Sequence, residues 1–184
     1  MSNRHWRVTR LNKSLFLPRL QRERDKFELL LNQVGFSRRM TMKGVVDGLS
    51  VKDMLADILS REQFIADRLN EILQGEVYSP CASHSALDAF QSKFGYPDYE
   101  SPLLNREARN HLVIHRHKNI GLDDIVEQEL AAYENILSAF EHLTHNQCLD
   151  HDLFHRTAEH TYKVYRRASL EIQTWLKSIA TESN

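Results

Sequence analysis

"SVKDMLADILSREQFIADRLNEILQG" (residues 50–75) carries the clearest structural pattern in the chain. Val51, Met54, Leu55, Ile58, Leu59, Ile65, Leu69, Ile72 and Leu73 recur at steps that place side chains on one face of an α-helix. Ser50 and Asp53 form a capping box: the hydroxyl accepts a first-turn N–H, and the carboxylate reaches back to the Ser50 N–H. Gly75 supplies a stop. The pattern predicts a helix from about Val51 to Gln74.

Three further segments share this periodicity. The first runs from about Ser14 to Val34, with Leu15, Leu20, Phe27, Leu30, Leu31 and Val34 as its stripe and Pro18 near its start. Another runs from about Leu122 to Leu143, with Asp123 and Asp124 at its electropositive N-terminus. The last runs from about Asp150 to Ile179 and contains "TYKVYRRASLEIQTW" (161–175). No strand pattern competes with these. Residues 76–120 form a long connector, with a turn-rich "GYPDYESP" and a shorter helix in "NREARNHLVIHRH". The expected fold is all-α: an antiparallel four-helix bundle with a long crossover between its second and third helices. Residues 1–13 read as a basic tail and 14–184 as one domain.

The composition agrees. In 184 residues, 41% hydrophobic and 27% charged content fits a soluble globular chain with a full core. Six glycines and four prolines are too few for the many turns of a β sandwich or barrel. No apolar run suggests a membrane span or a secretory leader, and Cys81 and Cys148 match no CxxC pattern. Free thiols in a cytoplasmic protein are the expectation, with a disulfide left open. The net charge of −1 is uneven: residues 1–43 carry eleven Lys/Arg and three Asp/Glu, an excess of +8, and the remainder carries −9. Because these basic residues mix with acids in "RLQRERDKFELL", a solvated helix face is the preferred reading over a nucleic-acid surface.

"GVVDGLSVKDMLADILSREQFIADRLNEILQGE" (44–76) resembles the second helix of DinB-like four-helix bundles, and most of all their DfsB/ClbS branch. "TYKVYRRASLEIQTW" is similar to that branch's final helix, and "LNREARN" to the start of its middle segment. Together these stretches span most of residues 14–179. The resemblance implies the bundle and a pocket between its second and fourth helices. Metal-binding members hold three histidines there, one on the second helix and two, spaced i and i+4, on the fourth. The corresponding positions here are Asp57, Val164 and Ala168, and neither valine nor alanine can coordinate an ion. No metal and no cofactor are expected.

The implied pocket groups Asp57, Arg61 and Glu62 with His160, Tyr162 and Tyr165, joined by Asn105 from the connector. Asp57 and Glu62 are the candidate acid–base residues; the other five are candidate ligand contacts. The plainer alternative solvates Arg61 and Glu62 and buries the tyrosines as core. His111/His115 and His151/His155 are i, i+4 pairs that a third ligand would turn into a metal site, but ten histidines produce such pairs by chance. Cys81 with His84 is a weak nucleophile–base pair, and a bystander thiol is the plainer reading.

Three functions follow as expectations. The first is a metal-free DfsB/ClbS-like protein that binds a small molecule, extending to a hydrolase that detoxifies an electrophile. The second is a non-catalytic ligand-binding or structural bundle. The third, a DinB-type metal-dependent thiol transferase, is opposed by the missing histidines. A small-molecule ligand is the expected partner; membrane and nucleic acid are not, and homodimerisation is left open.

Overall fold

The computed structural model describes residues 12–35 and 37–182, so most of the basic tail lies outside the described residues. The chain is all-α, and no strand forms among those residues beyond one isolated bridge between Val46 and Leu49.

Helix α1 spans Lys13–Val34, capped by Asn12, whose side chain accepts from the Leu15 N–H. Pro18 lies one turn inside it. A short α2, Ser37–Met40, leads through a loop into α3, Val51–Leu73. The Ser50–Asp53 capping box is present, and Lys43 adds an ion pair to Asp53. Then follow α4 (His84–Phe94), α5 (Arg106–His117) and α6 (Leu122–His142). The last part of the chain forms α7 (His145–Asp150), α8 (Leu153–His160) and α9 (Tyr162–Glu182).

Helix α3 is the centre of the packing. It meets α6 in the most extensive pairing, carries α5 and α8, and touches α9; α1 lies against α9. Phe16 shows how the core closes: its ring sits 5.4 Å from Phe140, 5.2 Å from Phe154 and 6.2 Å from Tyr162, joining α1, α6, α8 and α9.

Two sequence expectations need correction. The stretch 150–179 is not one helix. Asp152 has a positive φ of 51°, and Thr161 leaves helical geometry at φ −126°, ψ −103°. The fully buried Thr161 hydroxyl donates to the Thr157 carbonyl at 2.6 Å, a local bond that competes with the helical ladder. The connector is also more ordered than its turn residues suggest. It contains α4, which packs on α3 around Arg68. The Arg68 guanidinium lies 4.8–5.2 Å from the ring centres of Phe64, Tyr78, Phe90 and Phe94. Asp98, fully buried in "GYPDYESP", accepts from the Tyr78 hydroxyl and from the Cys81 N–H at 2.8 Å.

Candidate functional site

Where α3, α5 and α9 meet there is a cavity of about 120 Å³. Asp57 enters it from α3, Arg109 and Asn110 from α5, and Val164, Arg167 and Ala168 from α9. The loop before α3 adds Val46 and Leu49, and Met54, Ile58, Arg106 and Glu171 complete the lining. The spacing explains the convergence. Residues 164 and 168 are one turn apart on α9, and 106 and 109 one turn apart on α5, so each pair shares a face.

Asp57 is the polar centre. Its Oδ2 accepts from Arg61 Nε at 2.9 Å and its Oδ1 from the Tyr99 hydroxyl at 3.1 Å. Arg109 Nε lies 3.7 Å from Oδ1, an ionic contact without a hydrogen bond. Burial pushes the Asp57 carboxyl up, but Arg61 and Arg109 outweigh it and hold the group below the usual carboxylate range. Arg61 is itself buried, with its guanidinium 4.5 Å from the centre of the Tyr99 ring. Burial and the neighbouring Arg61 and Arg167 lower Arg109, against the pull of Asp57.

The other sequence candidates do not share this cavity. Glu62 projects into the core, where its Oε1 accepts the Tyr165 hydroxyl and lies 3.7 Å from Arg24. Arg24 grips Glu129 with both terminal nitrogens, one at 2.6 Å. Burial first, and then Glu129, push the Glu62 carboxyl well above its ordinary range; its Oε2 is buried without a hydrogen-bond partner. Tyr165 stacks on Phe27 at 5.5 Å with a 5° interplanar angle, and burial raises its phenol well above the usual value. The geometric reason is the helical repeat: five residues separate 57 from 62, which turns their side chains to different sides of α3. A wider groove of about 520 Å³ runs between α1 and α6, with Arg24 and Glu129 at its polar end and Phe27, Leu31 and Leu130 along its walls.

His160 is buried on the α4 side of α3, edge-on to Phe64 at 5.0 Å. Its Nε2 faces Glu100 Oε1 at 3.3 Å, and Arg156 holds the same carboxylate through two bonds of 2.9 and 3.0 Å. Burial lowers the His160 imidazole. Tyr162 packs on Phe16, with the Arg19 and Arg166 guanidiniums 5.0 and 5.3 Å from its ring centre. Asn105 caps α5, its Oδ1 accepting from the Ala108 N–H at 2.8 Å, and lies outside the cavity.

The sequence grouping of seven residues in one pocket is therefore corrected to five separate places. Asp57 borders the cavity with Arg61 bonded behind it, Glu62 with Tyr165 lies in the core, His160 faces the connector, Tyr162 packs on Phe16, and Asn105 caps α5. The solvated reading of Arg61 and Glu62 is corrected too, since both are buried. Sequence reasoning missed Tyr99, Arg109 and Arg167. The arginines in "NREARN" and "YRRAS" were the signal: basic residues one turn from the pocket positions.

No group of three or more His, Cys, Asp or Glu is placed to hold a metal ion among the described residues. The rings of His111 and His115 lie parallel on the surface at 6.3 Å, and His155 pairs with Glu159 at 3.6 Å. At positions 57, 164 and 168 one carboxylate faces guanidiniums and aliphatic carbon, a set that does not fit a metal. Burial, reinforced by Asp98, pushes the Cys81 thiol up to about 11, unsuited to nucleophilic attack. Both cysteines are free thiols. No described helix is long and apolar enough to cross a membrane.

Compared with protein-family models, curated proteins and solved structures, the chain matches none of them.

Proposed function

We propose that this protein is a metal-free, small-molecule-binding four-helix bundle of the DinB-like type, close to the DfsB/ClbS branch. Helices α1, α3, α6 and α9 are its four long members, and the segment between α3 and α6 is the crossover. One observation carries the reading: Asp57, Val164 and Ala168, the three positions of the resembled metal site, line one cavity, and arginines surround it in place of imidazoles.

Binding is favoured over hydrolysis. A hydrolase of this type would use Asp57 or Glu62 to activate water. Asp57 is held below the usual carboxylate range, which makes it a weak base, and Glu62 is sealed in the core. Asp57, itself held by Arg61, instead orients Arg109 toward a ligand.

The test is a fragment screen by protein-observed NMR on the wild type and on Ala168→Phe, whose ring would fill the cavity. Shifts at residues lining the cavity that vanish in the variant are expected. Hits that persist in Ala168→Phe, or a silent cavity, would overturn the assignment. Near-stoichiometric zinc or nickel in tag-free protein, measured by elemental mass spectrometry, would overturn its metal-free part.

A further inference from the structure

Three guanidiniums border the α3–α5–α9 cavity, and their charge is not fully matched. Arg106 pairs with Asp47 at 2.6 Å. Asp57 is shared between Arg61 at 2.9 Å and Arg109 at 3.7 Å. Arg109 Nε is buried yet has no hydrogen-bond partner, and its Nη2 reaches only the neutral amide oxygen of Asn110, at 3.2 Å. Arg167, one turn from Val164, has no ion pair or hydrogen bond among the described residues. Glu171, one turn beyond Arg167, is the other carboxylate of the lining. Counting Arg61, four guanidiniums face three carboxylates, Asp47, Asp57 and Glu171.

A buried donor without a partner costs stability in the empty protein, and a ligand that supplies an acceptor recovers that loss. A planar guanidinium matches the two oxygens of a carboxylate or the face of a phosphate. The aliphatic side of the cavity, formed by Met54, Ile58, Val164 and Ala168, suits a short apolar substituent. The volume of about 120 Å³ holds such a compact molecule and excludes a drug-sized one.

We infer that this cavity recognises a small oxyanion, a carboxylate or phosphate group on a compact molecule, gripped by Arg109 and Arg167. Asp57 positions Arg109, and the guanidiniums of Arg106, Arg109 and Arg167 keep a cation out of the site. The inference rests on the cavity being the ligand site and adds the chemistry of what enters it.

The experiment titrates the full chain with inorganic phosphate, benzoate and neutral benzamide at constant ionic strength and follows backbone amide shifts. Saturable shifts confined to the segments around 57, 106–110 and 164–171 are expected with benzoate, phosphate or both, and none with benzamide. Whichever anion binds identifies the source of the oxyanion. Arg109→Gln should weaken that binding by roughly ten- to hundredfold, as loss of a charged hydrogen bond does. Arg167→Gln, at an exposed position that cannot endanger the fold, should weaken it by roughly tenfold. Equal binding of benzamide and benzoate, unchanged in either variant, would overturn the oxyanion inference and leave the cavity reading standing. Silence toward both anions, with neutral fragments still binding in a manner sensitive to Ala168→Phe, would do the same. Silence toward every probe would overturn both.

Discussion

Tyr165 donates its phenolic hydroxyl to Glu62 in the middle of the core, where 1% of the tyrosine and 0% of the glutamate are exposed. A residue that the sequence offered as a ligand contact is thus a packing residue with a polar anchor. Tyr165→Ala should cost about 3–5 kcal/mol, as other large aromatic truncations do. Tyr165→Phe keeps the stacking on Phe27 and should cost about 1–3 kcal/mol for the carboxyl it leaves without a donor. Urea denaturation of the three proteins checks the order; near-neutral stability of Tyr165→Ala would contradict it.

Glu62 should make stability fall with rising pH. Burial and Glu129 raise its carboxyl in the folded protein above the ordinary 4.5. The folded state therefore holds a proton that the unfolded chain releases, so this contribution is full below 4.5 and is lost as pH rises toward the folded value. Glu62→Gln removes the titration. Its stability relative to wild type should increase between about pH 5 and about pH 8, read from denaturation midpoints at both. Parallel profiles would show that Glu62 does not titrate in this way.

Asp57 should behave in the opposite sense. Its folded value lies below the ordinary 3.8, so its contribution is present above that value and lost as pH falls through the folded one. Asp57→Asn leaves the buried Arg61 without its carboxylate and should cost about 3–5 kcal/mol at neutral pH, the range for a broken buried ion pair. The variant should also lose the corresponding part of the acid limb. A variant as stable as wild type at neutral pH would mean that Arg61 finds another partner.

Arg68 offers a test of how the connector is held. Its Nη2 bonds Glu71 at 2.6 Å, while Nε and Nη1 have no hydrogen-bond partner, and four aromatic rings surround it. The attraction of the rings offsets the cost of burying the charge. Arg68→Met, which fills much the same space without a charge, should stay within about 1.5 kcal/mol of wild type. Arg68→Ala should cost about 3 kcal/mol or more through the cavity it opens. Loss of α4 helicity in Arg68→Met, seen by NMR, would show that the charge itself holds the segment.

His160 should be neutral at pH 7, with Nε2–H donating to Glu100 and Nδ1 bare. Burial sets its imidazole below 6.5, so the stability it contributes is present above 6.5 and is lost on acidification below that value. Two-dimensional imidazole NMR across that range reads both tautomer and titration. A titration at or above 6.5 would contradict the assignment.

Much of the fold was legible because the long helices carry apolar stripes, interrupted in α1 at "QRERDK", and local caps. The 50–75 stretch gave both ends of α3, and the capping box at Ser50 and Asp53 is a contact between near neighbours. The site was harder to read. Whether Glu62 or Asp57 meets the cavity depends on how α3 is rotated against α5 and α9, a tertiary quantity. The roles of Tyr99 and Asp98 depend on a connector that folds onto α3 over long sequence distances. Helix α4 was hidden because much of its length is exposed, with Leu87 its one fully buried side chain.

The break at Thr161 has a consequence for how the molecule opens. Helices α8 and α9 share no continuous hydrogen-bond ladder; both touch α3, but α8 rests also on α7 and α9 chiefly on α1. The end of the chain therefore comprises two units able to exchange their amide protons independently. His160 belongs to the first and the Arg167 side of the cavity to the second, so thermal breathing of one need not expose the other.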